Sequence, residues 1–170
     1  MDLYTQSVTT YRSRMNTLNG LLSKAEGHPD GDALLQAKLA DDMLPLATQI
    51  RFVTNIPGEA LSRLGAVTFT SNDDELTTIA QAKELVAQTS KMLDAVKPDD
   101  LPAPDTRVAF SIGDGAYSFE MSGEEYVREF SLPNFYFHLT TTYSILRMKG
   151  LEIGKADFIP HMMAYFKPPA

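Results

Sequence analysis

Cysteine is absent from this 170-residue chain. That excludes a disulfide framework, and it removes the thiolate as a nucleophile or a soft-metal ligand. Basic side chains are outnumbered, with 15 Lys and Arg against 22 Asp and Glu and a formal charge of -7; the isoelectric point lies near 4.9. A polyanion is repelled by such a chain at long range, so nucleic acid is not an expected partner. No apolar run reaches the about 20 residues that span a bilayer. The opening MDLYTQSVTT has neither the basic start nor the apolar stretch of a secretory signal. A soluble cytoplasmic protein without membrane contact is the expectation. Dinucleotide, nucleophile-elbow and zinc-protease motifs are missing, and there is no internal repeat.

What is present is apolar content of 44%, enough for one domain with a real core. Leu3 or Tyr4, Val8, Tyr11, Met15, Leu18 and Leu22 recur three and four apart, which predicts a first helix over residues 3–24. Gly27 to Asp32 read as a loop that leaves His28 in solvent. Asp41 and Asp42 followed by Pro45 read as the capped start of a second helix. Its stripe is Leu46, Ile50, Val53, Pro57, Leu61 and Leu64, with a kink expected near Asn55 and an end at Gly65. Asn72 to Glu75 form an acidic, cap-like opening to a third helix over 74–96. Pro98, Pro102 and Pro104 then forbid helix.

The period changes to two at Val108, Phe110 and Ile112, and again at Tyr117, Phe119 and Met121 after Gly113-Asp114-Gly115, which predicts a β-hairpin. Two strands alone are marginal, so the hairpin must lie on the helices or on another chain. Ser122 with Glu125 is a capping box opening a fourth helix over 123–148, closed by Lys149-Gly150. Gly150 to Lys155 lack the spacing and hydroxyl of a phosphate loop, and read as a C-cap and turn. The fold class is all-α: a four-helix bundle with a β-hairpin inserted between helices three and four, one domain over 1–160 and a loosely held tail over 161–170.

The Ala40-Asp41-Asp42-Met43-Leu44-Pro45-Leu46 stretch, the Pro133-Asn134-Phe135-Tyr136-Phe137-His138 stretch and the terminal Gly154-Lys155-Ala156-Asp157-Phe158 together resemble one family from Leu3 to Phe158. It is the domain-of-unknown-function family numbered one-nine-nine-three, similar in fold to DinB-like bundles. The resemblance implies that fold and no established activity. Many DinB-like bundles hold a divalent metal through three histidines, two of them four apart on one helix. Here Thr142 stands four after His138 and the second helix has no histidine, so the resemblance carries no ligand set over, and neither a metal nor a cofactor is expected.

Three histidines are present, and His138 alone falls in a predicted helix. It shares a face with Phe135, Thr141, Thr142 and Ile145, since residues three, four and seven apart line up. Its ring is read either as a core group satisfied by hydroxyl, carbonyl or water, or as an acid/base in a pocket inside the bundle, because imidazole titrates near neutral pH. Asp42, Gln49, Asn134 and Thr142 are the candidate substrate contacts. Three of them have an ordinary alternative: Asp42 as a cap, Gln49 as a boundary residue, Asn134 as a brace for the backbone that Pro133 frees. The resulting expectation is a small-molecule binder or metal-independent acid/base enzyme using His138. The alternatives are a non-catalytic homodimeric bundle and a DinB-like metal enzyme with a degenerate site.

Overall fold

Leu3, Val8, Tyr11, Met15, Leu18 and Leu22 are buried along one side of α1 (Thr10–Ala25) and of the π-helical turn Thr5–Thr9 that leads into it. This computed structural model describes residues 2–168. Three further long helices follow: α2 (Leu46–Arg63), α3 (Ile79–Ala95) and, after the strands β1 (Arg107–Ile112) and β2 (Tyr117–Ser122), a helix running from Gly123 to Met148. That last helix comprises α4 (Gly123–Glu125), a π-helical stretch Tyr126–Ser131, and α5 (Leu132–Met148). A short α6 (Lys155–Phe158) and a 3-10 segment Pro160–Tyr165 close the described chain. The all-α bundle with an inserted hairpin is the fold.

The largest packing surfaces join α2 to α5, α1 to α3 and α2 to α3. α1 and α5 touch less, and α6 with the segment after it is pinned to that seam. Thr17 donates to the Phe158 carbonyl at 3.3 Å, Phe158 meets Tyr143 edge-on, and Lys24 pairs with Asp157 at 2.7 Å. The hairpin lies on the helices. Phe110 packs against Phe119 across the strands and against Tyr126 and Phe130 of the π stretch, while the Arg63 guanidinium sits 5.1 Å from the Phe110 ring centre.

Several boundaries differ from the sequence reading, for physical reasons. α2 begins at Leu46, with Pro45 in extended backbone as its cap, so Asp42 does not cap it; Asp42 lies in an exposed turn. α2 continues through Pro57, and Asn55 directs its carboxamide away from the helix, onto the Asn72 backbone at 2.8 and 3.0 Å. Those bonds, with Arg51 on the Asp73 carbonyl at 2.8 Å, hold Asn72 and Asp73 out of helical conformation. Phe69 in the same connection lies against Gly58, where an added Cβ would meet the ring at 2.3 Å. α3 therefore starts late, at Ile79, behind the cap Thr78, whose hydroxyl closes a capping box with Gln81, while Asp32 accepts the Ile79 N–H at 2.8 Å.

Candidate functional site

The Ser122–Glu125 capping box opens the helix that carries His138. Pro133 interrupts any ordinary ladder because it has no N–H. The π register accommodates it: Leu132 N–H reaches back to the Val127 carbonyl, and Pro133 falls in the first turn of α5. Ser131, at the end of the widened turn, bonds to the buried Tyr11 hydroxyl at 2.6 Å, and burial raises the Tyr11 pKa well above its ordinary value. At the other end Gly150 adopts φ +90 and the Leu151 N–H bonds to the Leu146 carbonyl, a Schellman closure. α5 is thus fixed at both ends.

His138 is half-buried on the α2 side of α5. Its ring centre is 4.6 Å from that of Phe52 and 5.2 Å from that of Phe137. Nδ1 lies 2.7 Å from Gln49 Oε1, and Gln49 Nε2 donates to the Leu44 carbonyl at 3.2 Å. This pair of bonds settles the protonation pattern. The Leu44 carbonyl only accepts, so the amide nitrogen of Gln49 faces it and Oε1 faces the imidazole; Nδ1 must therefore carry the proton. In the neutral ring Nε2 is then a bare lone pair. It has no protein partner among the described residues, and it is absent from the buried unpartnered nitrogens, so it meets solvent. Burial pushes the pKa of His138 down to about 4, which keeps the ring neutral at neutral pH.

The other predicted residues separate. Gln49 is buried, with one hydrogen bond at each of Oε1 and Nε2, and holds the ring of His138. Asn134, one helical turn before His138, is half-buried, and its carboxamide has no hydrogen bond among the described residues, so it does not brace the backbone beside Pro133. Thr142 is fully buried and gives its proton to the His138 carbonyl at 2.9 Å. Asp42 is not joined to this group by any hydrogen bond. Phe52 and the Leu44 carbonyl escaped the sequence reading; Phe52 could have been found three residues after Gln49, on the same face of α2.

His28 is not left in solvent. Its Nδ1 accepts from the Asp30 N–H at 3.1 Å and its Nε2 donates to the Lys149 carbonyl at 3.0 Å. His161 takes a hydrogen bond at Nδ1 from Arg14 at 2.8 Å, and Arg14 also donates to the Tyr136 hydroxyl at 2.9 Å, so the start of the predicted loose tail is tied to the bundle. A cavity of about 440 Å³ lies between α2, α3 and residues 68–74. Its inner wall is already bonded within itself, Thr89 to the Thr54 carbonyl and Asn55 to Asn72. His138 does not line it.

The model of the family described as Domain of unknown function (DUF1993) matches residues 3–159. The chain belongs to that family. A crystal structure of a DinB family member protein from Shewanella denitrificans superposes with a TM-score of 0.85 at 30% identity, covering 98% of this chain and 96% of that one. No curated protein matches the chain.

For this DUF1993 member, the residues at the α2–α5 seam do not fit the divalent metal that a DinB-like fold implies. A metal needs about three protein ligands. Here one nitrogen is free, Gln49 Oε1 already accepts from the imidazole, and the Thr142 hydroxyl is turned to a helix carbonyl. Among the described residues no three His, Cys, Asp or Glu side chains converge.

Proposed function

We propose that this protein binds a small polar molecule at the α2–α5 seam, with Nε2 of His138 as the hydrogen-bond acceptor. The observation that carries the reading is the chain of bonds from the Leu44 carbonyl through Gln49 to Nδ1, which fixes the tautomer and aims a lone pair outward. Asn134 supplies a second, uncommitted polar group one turn away, and Phe52 and Phe137 supply apolar walls. A ligand with an N–H or O–H donor and a small apolar body matches these groups. Proton shuttling is the weaker use of the same ring: a base near pKa 4 takes little proton at neutral pH, where an efficient acid/base has a pKa near the working pH.

The test is a two-dimensional NMR titration with three probes of one size: acetamide, ethanol and ethylammonium. Saturating shifts at the His138 ring nitrogens and the Asn134 carboxamide in the wild type, with the Asn134 shift lost in His138→Phe, are the expected result. Probes that move neither group in the wild type, or that move Asn134 equally in His138→Phe, would overturn the reading.

A further inference from the structure

The hydrogen bonds in the wall of the cavity between α2, α3 and residues 68–74 have a direction, and that direction bears on what fits there. Thr54 and Thr89 form its floor and are 2% and 7% exposed. Each hydroxyl has given its single proton to a helix carbonyl, Thr54 to Arg51 at 3.0 Å and Thr89 to Thr54 at 3.1 Å. Ser71 gives its proton to the Glu59 carboxylate at 2.7 Å. A hydroxyl has one proton and two lone pairs, so these three groups have only lone pairs left for a ligand. Gln88 adds another, because its amide nitrogen is turned to the Glu84 carboxylate at 3.2 Å and its oxygen is uncommitted. The donors left on the wall are amide hydrogens of Asn55, Asn72 and Gln88, all neutral.

Charge points the same way. Asp73 and Asp74 line the cavity from exposed positions, and neither carboxylate has a hydrogen bond or an ion pair among the described residues. No Lys, Arg or His lines it; Arg51 is held on the Asp73 carbonyl at 2.8 Å, outside the lining. The remaining wall is apolar, from half-buried Phe69, Leu85 and Met92. The volume of about 440 Å³ falls within the about 300–1,000 Å³ of ordinary small-molecule sites.

We infer that this cavity binds a small organic ammonium, a protonated primary amine carrying an apolar or aromatic body. An ammonium has donors and no acceptor, which complements spent hydroxyls and unpaired carboxylates. A carboxylate or phosphate ligand would face Asp73 and Asp74 with no cation to offset them. A bare divalent metal lacks its ligands, since no three acidic or histidine side chains converge among the described residues. The net charge of -7 draws cations toward the surface. The body of the amine is what Phe69, Leu85 and Met92 would cover.

NMR titration of the full chain at neutral pH and low salt tests this with three probes of one shape: 2-phenylethylammonium, 2-phenylethanol and 3-phenylpropanoate. Saturating shifts at the side-chain amides of Asn55, Asn72 and Gln88 with the ammonium are the expected result, with the alcohol about tenfold weaker or more and the carboxylate not saturating. Methylammonium, which keeps the charge and lacks the body, should also bind about tenfold more weakly. Asp73→Asn with Asp74→Asn should raise the dissociation constant of 2-phenylethylammonium about tenfold, whereas Asp99→Asn with Asp105→Asn, which removes the same charge at exposed positions outside the cavity, should change it less than about twofold. An ammonium that gives no saturating shift, an alcohol or carboxylate that binds as tightly, methylammonium equal to the larger amine, or equal losses in the two double variants would overturn the inference. His138 does not line this cavity, so this inference and the ligand reading at the α2–α5 seam fail independently.

Discussion

His138 and His161 are each anchored through Nδ1, yet the two bonds have opposite polarity. Gln49 offers an oxygen, so Nδ1 of His138 donates; Arg14 can only donate, so Nδ1 of His161 accepts. Acid acts on them differently. A proton arriving at His138 goes to the free Nε2 and leaves the Gln49 bond intact. A proton arriving at His161 goes to the nitrogen that Arg14 needs, and replaces a hydrogen bond with two facing cations. One imidazole is built to keep its orientation while its outer nitrogen is used; the other is a clasp that acid opens. The pKa of both is lowered, His138 by burial and His161 by partial burial and then by the Arg14 charge.

The contrast breaks most visibly at Gln49. Gln49→Leu removes the partners of the Leu44 carbonyl and of the half-buried Nδ1–H of His138, and should cost about 1–2 kcal/mol in urea unfolding; His161→Ala, at a more exposed bond, should cost under about 1 kcal/mol. The reverse order would show that the seam is not the tighter anchor.

Acidification sharpens the comparison with a smaller effect. Both histidines titrate below their ordinary value of about 6.5 in the folded chain, so the unfolded chain binds protons first. Their contribution to stability is complete above that pH and is lost as pH falls, for His138 down to about 4. His138→Phe should flatten the pH dependence of the urea midpoint in this window. The protection of residues 160–168 from hydrogen exchange, after correction for the intrinsic pH dependence of amide exchange, should fall on acidification in the wild type and be low and pH-insensitive in His161→Ala.

The smallest effect involves no loss of stability. In nitrogen-15 NMR at neutral pH, the attached proton should be on Nδ1 of His138 and on Nε2 of His161. Two rings in the same tautomer would contradict the polarity assigned to one of the bonds.

Legibility followed sequence distance. The Ser122–Glu125 box, the hairpin alternation and the Lys149-Gly150 stop join residues a few positions apart, and each stands where the pattern predicts. The beginnings of α2 and α3 were displaced because remote groups compete for the same backbone. Asn55 and Arg51 bind the Asn72-Asp73 backbone, and Asp32 caps an amide 47 residues away. At the candidate site, helical period puts His138 on one face with Phe135, Thr141, Thr142 and Ile145, and does not pair it with Gln49. Their bond spans 89 residues, and only packing could make it.

By itself the sequence determined a helical bundle with an inserted hairpin, a family, and a chain without thiols and poor in positive charge, because periodicity, caps and composition act locally or additively. Tertiary structure decided which nitrogen of each histidine carries the proton, and whether Asn134 and Thr142 keep a free polar group. Those properties depend on the docking of α2 against α5 and of residues 158–168 across α1. Hydrogen-bond direction belongs to groups brought together in space.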